Sequence, residues 1–200
     1  IASVIAEQAE TYRVEICSLS KSVPVGRYEA RVEIAGIATE QDRRWIEAQQ
    51  AYIEGARLSG NQTRESQAQA IRQFEKASGL WRSLDDKLMT AHALYYLALC
   101  QRRLGQLQQA LSSYGQAMQS VRETGDTREL AIAETFIANL HSWLGEPRKS
   151  LEYYDRAITQ WRSLNDIYSE ARTLHNLGSA YSMLGEAQKA LETYDQALKV

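Results

Sequence analysis

The sequence predicts a mainly helical chain, an α-α superhelix preceded by a small antiparallel β segment. Three observations predict this fold. Before residue 38, apolar and charged residues alternate with a period of two, which is typical of half-buried strands. After residue 38, apolar residues recur at the spacing of amphipathic helices. This helical pattern then returns every 40 residues, and a fixed period of this kind is typical of stacked helical repeats.

The first 37 residues predict a β-hairpin. Residues 11–18 and 27–34 each place apolar and charged side chains on opposite faces, and Pro24 and Gly26 between them supply turn chemistry. A lone hairpin is only marginally stable, so we expect it to end a larger β-domain upstream or to dock on the first helix. The chain begins at Ile1 and stops inside a helical pattern, which indicates a piece of a longer protein.

Residues 38–200 predict an array of helices. Thr39 followed by Asp42 predicts the first N-cap, where a hydroxyl accepts from free backbone N–H groups and a carboxylate lies near the helix dipole. The six residues that begin at Trp81 recur in modified form 40 and 80 residues later, and a Leu-Gly pair recurs with the same spacing. These recurrences divide the array into helix pairs at about 39–82, 86–124, 126–164 and 166–200.

The recurring residues have identifiable structural roles. Asp86, Asp126 and Asp166 are predicted to cap the first helix of their pairs, and Glu129 is predicted to complete a capping box with Asp126. The Leu-Gly pairs are predicted to end those helices, because glycine readily adopts the left-handed conformation of a helix exit. Since one pair cannot cover its own apolar face, the pairs are expected to stack.

The last of these pairs resembles the tetratricopeptide repeat. The residues that carry the resemblance are Leu174, Leu177, Gly178, Tyr181, Ala190 and Tyr194. The period of 40 residues is longer than the usual family period of about 34, and the closing proline of the family is missing. The resemblance implies a solenoid in which the first helix of each pair lines a concave groove that binds partners.

A narrower resemblance rests on the order of several segments along the chain. Y-R-V-E-I is followed by P-V-G-R-Y-E-A-R-V-E-I and then by a helix that reaches F-E-K-A-S-G-L-W-R-S-L-D-D. This order is similar to that of bacterial multi-domain proteins in which a β-sandwich of the pre-peptidase type leads into such repeats, often with a caspase-like CHAT domain after them. The resemblance implies that residues 1–37 end such a sandwich. No segment resembles the CHAT catalytic domain itself.

The titratable residues form no pattern that indicates catalysis. His92, His141 and His175 lack the i, i+4 partner of a metal site, and Cys100 occupies a packing position, as a small buried hydrophobe. With 23 basic and 25 acidic residues, the formal charge of −2 gives no electrostatic reason to bind nucleic acid. No apolar run approaches the roughly 18 residues that span a bilayer. We therefore expect no enzyme activity, metal, other cofactor, nucleic-acid partner or membrane insertion.

Candidate binding residues lie on the first helix of each pair, on the stripe opposite the packing positions. This stripe predicts that Tyr95 and Trp143 are exposed. Asparagine amides can satisfy the backbone of a bound peptide, and arginines can bind its carboxylates. The family's carboxylate clamp for chaperone tails is present only in part. The predicted groove residues are His92, Tyr95, Leu99, Arg102, Thr135, Asn139, Trp143, Arg172, His175, Asn176 and Ser179.

Glu134 departs from the repeat pattern. It stands where the neighbouring pairs have Leu94 and Leu174. Two alternatives follow. Either the pair tilts so that Glu134 reaches water or a cation, or the position is functional.

The groove favours a noncatalytic protein–protein interaction scaffold that binds a peptide or protein segment. The alternative is a structural or regulatory arm of a longer bacterial caspase-like (CHAT) protease, with no ligand of its own. A third hypothesis is self-association through the exposed end of the array, because an apolar helix face there has no further repeat to meet.

Overall fold

The computed structural model describes residues 39–200, which form eight α-helices. Each helix packs on the next one along the chain, and α1 also contacts α3, as α5 contacts α7. The mainly helical solenoid is therefore confirmed for this part of the chain, while the predicted β segment at residues 1–37 lies outside it. The helices are α1 (Glu40–Gly60), α2 (Arg64–Ser83), α3 (Lys87–Arg103), α4 (Leu107–Thr124), α5 (Thr127–Trp143), α6 (Pro147–Ser163), α7 (Ile167–Met183) and α8 (Ala187–Lys199).

Capping residues begin several of the helices as the sequence predicts. Thr39 and Asp42 form a complete capping box at α1. Asp86, Asp126 and Asp166 each accept a hydrogen bond from the backbone N–H three residues on, at 3.0, 3.0 and 3.1 Å. Each bond satisfies one of the N–H groups that a helix start leaves without an intrahelical partner.

The prediction that Glu129 completes a capping box with Asp126 is wrong. The backbone N–H of Asp126 donates to Thr124 Oγ1 at 3.2 Å instead of to Glu129. The Glu129 carboxylate lies 3.2 Å from Nε2 of His92 on the preceding first helix. Glu129 therefore links two helix pairs, and Thr124 takes its place at the cap.

Left-handed backbone conformations mark two kinds of turn. Gly105, Gly145 and Gly185, the glycines of the Leu-Gly pairs, have φ values of 80°, 74° and 76°, so these residues end the first helices as predicted. The turns that follow the second helices use positions 85, 125 and 165. Asp85, Gly125 and Asn165 also have positive φ there, and these three residue types are the ones that tolerate it best.

The core lies between neighbouring helices and repeats with the same period. Phe74, Tyr114 and Tyr154 are buried at equivalent positions of α2, α4 and α6, and Trp81 and Trp161 are buried near the ends of two of these helices. A small residue allows close helix contact at one of these interfaces. A Cβ added at Gly178 of α7 would lie 2.7 Å from the Tyr194 ring of α8.

Candidate functional site

The predicted groove residues divide into an accessible set and a buried set. His92, Leu99, Arg102, Asn139 and Asn176 are half-buried, and Trp143, Arg172, His175 and Ser179 are exposed. Tyr95 and Thr135 are buried. We call the surface formed by the nine accessible residues the first-helix face, because all of them lie on α3, α5 or α7.

Arg102 and Trp143 form a contact across two helix pairs on this face. The guanidinium carbon of Arg102 lies 4.4 Å from the centroid of the Trp143 ring, a distance at which a cation is attracted to the face of the indole. The Trp143 side chain remains 53% exposed. Arg102 makes no ion pair with a carboxylate of the described residues, so its charge is available to an anionic group.

Asn139 connects α5, α6 and α7 through one oxygen atom. Its Oδ1 accepts from the hydroxyl of Tyr154 at 2.7 Å and from Nδ2 of Asn176 at 3.0 Å. Burial raises the pKa of Tyr154 to about 12, so this hydroxyl keeps its proton at neutral pH. Because the oxygen is occupied, the Asn139 amide is fixed in orientation. Its N–H groups make no hydrogen bond within the described residues and remain as donors.

The prediction that Tyr95 is exposed is wrong. Only 7% of its surface is accessible, because α5 of the following pair covers it. The Tyr95 hydroxyl donates to the Glu129 carbonyl oxygen at 3.1 Å, and its ring centroid lies 6.1 Å from that of Phe136. Periodicity within one helix identifies a stripe, whereas the neighbouring repeat decides which part of the stripe stays accessible.

Thr135 also lies beneath this surface. Its hydroxyl donates to the Ala131 carbonyl oxygen at 2.8 Å and accepts from the Trp161 indole N–H at 3.4 Å. Both bonds are internal to the repeat array. Thr135 therefore supports the position of Trp161 and is not placed to contact a ligand.

Three further predicted residues, Arg172, His175 and Ser179, lie on α7. Arg172 stacks over the ring of Tyr168 at 5.7 Å, and His175 lies 5.3 Å from the Tyr194 ring centroid. The structure therefore joins Arg102 to Trp143 and Asn139 to Asn176. Arg172 and His175 instead contact aromatic rings of their own helix pair.

Glu134 is buried and paired with a cation. Its side chain is 2% exposed, and Oε1 accepts from Nε of Arg156 at 2.7 Å. The Arg156 guanidinium carbon also lies 4.5 Å from the Tyr153 ring centroid. Of the two alternatives for Glu134, the structure shows the contact with a cation, which comes from α6.

Cys100 and His141 are both packing residues in the structure. Cys100 is fully buried, and burial raises the pKa of its thiol to about 11, which keeps the unreactive protonated form. His141 is 8% exposed, and its Nδ1 lies 2.8 Å from the Glu146 carboxylate. Within residues 39–200 no group of three His, Cys, Asp or Glu side chains could hold a metal ion. None of the helices described is long and apolar enough to cross a membrane.

A cavity of about 660 Å³ lies between α2 and α4, with one side of α3 as its floor. Its lining residues come from three different helices, so no single stretch of the sequence predicts this cavity. Leu94, Leu97 and Gln101 form the floor. In a helix of about 3.6 residues per turn, these positions face away from His92, Leu99 and Arg102. The cavity and the first-helix face therefore use opposite sides of α3.

A family model for the tetratricopeptide repeat matches residues 63–123 and 129–200. Among solved structures, RapI in its apo form superposes with a TM-score of 0.72 at 12% identity, over 77% of this chain and 42% of RapI. Aspartyl phosphate phosphatase F from Bacillus subtilis gives 0.68 at 15%, over 80% and 41%.

A Rap protein complexed with Competence and Sporulation Factor gives a TM-score of 0.65 at 15% identity, over 82% of this chain and 44% of that protein. At these identities the likeness is one of fold. The chain spans less than half the length of each of these three proteins. No curated protein sequence matches the chain.

Proposed function

The chain belongs to the tetratricopeptide repeat family, and we propose that it is a protein-interaction scaffold whose first-helix face binds an extended segment of a partner protein. Exposed or half-buried side chains from three successive helix pairs make up this face. A protein of similar fold has been solved in complex with Competence and Sporulation Factor, and this supports binding as a use of the fold.

The contact between Arg102 and Trp143 carries the proposal. A large aromatic ring that is 53% exposed is unusual on a chain whose other tryptophans are buried or half-buried. Tryptophan and arginine are also the residues that most often dominate binding energy at protein interfaces. The indole offers a flat apolar surface, and the guanidinium beside it offers a charge without a carboxylate partner in the described part of the chain.

Asn139 and Asn176 supply the complementary polar contacts. The N–H groups of Asn139 can donate to a peptide carbonyl, while the Asn176 side-chain oxygen can accept from a peptide N–H. An extended segment presents both kinds of group along its backbone. Trp143 lies one turn beyond Asn139 on the same side of α5, so one bound segment can reach both residues.

The experiment is a selection of peptides from a displayed random library on the immobilised chain, followed by measurement of affinity by calorimetry. Trp143→Ala is expected to lower the affinity for the selected peptides by about tenfold or more, as substitution of an aromatic residue at the centre of an interface does. Leu198→Ala is the matched control. It removes another exposed apolar side chain, 87% accessible, from α8, and it should leave affinity unchanged.

Two results would contradict the proposal. The first is that no peptide is selected. The second is that selected peptides bind Trp143→Ala and the unaltered chain equally while circular dichroism shows both to be folded. Either result favours the alternative of a spacer or regulatory arm that binds no ligand itself.

A further inference from the structure

The residues that line the cavity between α2 and α4 have counterparts at equivalent positions of the later helix pairs. A shift of 40 residues relates Gln101 to His141 and Ser113 to Tyr153. In the pair formed by α3 and α4, Ser113 Oγ donates to Gln101 Oε1 at 2.8 Å. In the next pair, the ring of Tyr153 stacks on His141 with centroids 5.7 Å apart. The same two positions are therefore in contact at both sites, through a hydrogen bond at the first and a ring stack at the second, and the side chains differ in volume.

An aromatic ring and a cation occupy the two later sites. Between α4 and α6, the Arg156 guanidinium carbon lies 4.5 Å from the Tyr153 ring centroid. Between α6 and α8, Nζ of Lys189 lies 5.5 Å from the Tyr181 ring centroid. The chain itself supplies both partners at these sites.

The first site has neither the ring nor a cation at the positions that supply them in the later pairs. Gln101 stands where Tyr181 and His141 stand in the later pairs, and Ser113 stands where Tyr153 does. Gln116 and Gln109 replace Arg156 and Lys189. The result is the open cavity of about 660 Å³, which is large enough for the ring that fills the equivalent place elsewhere.

The charged residues of the cavity favour an anionic ligand. Arg72, Glu75 and Arg82 are its three charged lining residues, so two positive charges face one negative charge. Arg82 donates to Gln116 Oε1 at 3.1 Å across the cavity. Neither arginine pairs with a carboxylate in the part of the chain that the structure describes.

We propose that this cavity is a second binding site, which accepts an aromatic side chain of a partner protein that carries a carboxylate beside it. The ring would occupy the space that Tyr153 fills in the next pair, over Leu94 and Leu97. The carboxylate would meet Arg72 or Arg82. Because the site lies on the side of α3 opposite the first-helix face, it is separate from the peptide site proposed above.

Three small phenols test the proposal by their charge. They are 4-hydroxyphenylacetate, which is anionic, p-cresol, which is neutral, and tyramine, which is cationic. Each is titrated into the ¹⁵N-labelled chain while amide chemical shifts are followed. Saturable shifts are expected at Gly79, Ser113 and Gln116, with 4-hydroxyphenylacetate roughly fivefold tighter than tyramine, the range of effect that exposed ion pairs have.

Substitutions that copy the next pair supply the controls. Ser113→Tyr should fill the cavity and abolish the shifts. Gln119→Tyr, which places the same ring at an exposed position of α4 outside the cavity, should leave the shifts intact. If Ser113→Tyr fails to fold, Gln116→Tyr at the cavity rim replaces it. The double variant Arg72→Gln, Arg82→Gln should still bind the phenols, but it should no longer bind the anionic one more tightly than the cationic one.

Three outcomes overturn the inference. One is the lack of a saturable shift with any of the three phenols. Another is shifts that spread over the whole chain or survive Ser113→Tyr in a folded protein. The third is tyramine binding as tightly as 4-hydroxyphenylacetate. Failure of the peptide selection on the first-helix face would leave this result unaffected, because the two sites share no residue.

Discussion

Glu134 lies at a position that Leu94 and Leu174 fill in the neighbouring pairs. Its Oε2 atom is buried and makes no hydrogen bond within the described residues. Arg156, by contrast, is 44% exposed in its side chain. The carboxylate therefore loses most of its hydration, while only one of its two oxygen atoms gains a partner. Such a pair often stabilises a protein less than an apolar residue of similar size.

Replacing Glu134 by leucine should therefore stabilise the chain. We expect Glu134→Leu to raise the free energy of unfolding by roughly 1–3 kcal/mol, since the guanidinium of Arg156 can be hydrated once its partner is gone. Urea denaturation followed by circular dichroism measures the change.

The opposite half of the pair supplies the control. Arg156→Gln copies Gln116 and Gln196 of the neighbouring pairs, but it leaves the buried carboxylate without a cation. It should destabilise the chain by about 3 kcal/mol. Equal destabilisation by both substitutions would show that the pair is a net source of stability.

The burial of a residue could be predicted from the sequence where it depends on the position of that residue within its own helix. Cys100 was predicted to be a buried packing residue, and it is fully buried. The partner of Glu134 could not be identified, because Arg156 lies 22 residues away on another helix. The exposure of Tyr95 was predicted wrongly for the same reason, since a helix of the next pair covers this residue.

At the scale of the element, close contact between helices depends on single glycines. A Cβ added at Gly55 of α1 would lie 2.9 Å from the ring of Phe74. Phe74 is fully buried and stacks on Tyr96 with centroids 5.5 Å apart, so its ring has little room to move. The approach of α1 to α2 therefore requires the absence of a side chain at this position.

Gly55→Ala should destabilise the chain by about 1–3 kcal/mol, the usual effect of overpacking a filled core. Gly115→Ala in α4 is the matched control. No atom lies within 4 Å of its added Cβ, so the higher helix propensity of alanine should stabilise the chain by about 0.5–1 kcal/mol. Thermal unfolding of both variants measures the difference in sign. Destabilisation of similar size at both positions would show that the Phe74 contact is not the cause.

The ends of the helices were predictable where the same residue recurs. The Leu-Gly pairs identify the exits of α3, α5 and α7 because glycine appears at every copy. The left-handed turns at Asp85, Gly125 and Asn165 were missed. Three different residues fill that position, and they share only their tolerance of positive φ.

At the scale of the whole molecule, the contacts between neighbouring pairs change along the array. Phe74 stacks on Tyr96 and Tyr114 stacks on Phe136, with centroid distances of 5.5 and 5.3 Å. At the next junction Asn176 replaces the stacked ring and bonds to Asn139. A hydrogen bond thus replaces the ring stack of the two earlier junctions. The two amides of the first-helix face, Asn139 and Asn176, lie at this junction.

The pair formed by α7 and α8 leaves large apolar side chains exposed. Leu198 of α8 is 87% exposed, whereas its counterpart Ile158 in α6 is 4% exposed. Leu191 is 65% exposed. The apolar face that the sequence predicted at this end of the array is therefore present among the described residues, and self-association through it stays a prediction.

Because each pair contacts mainly its neighbours, stability should vary along the array. We expect backbone amides of α7 and α8 to exchange with deuterium before those of α3 and α4, as measured by hydrogen exchange with mass spectrometry. Gly55→Ala should speed exchange in α1 and α2 and leave α7 and α8 unchanged, since two helix pairs lie between the substituted pair and that end. The measurement is repeated after tenfold dilution, because self-association would protect α8 only at high concentration. Exchange of all eight helices in one cooperative step would contradict this account.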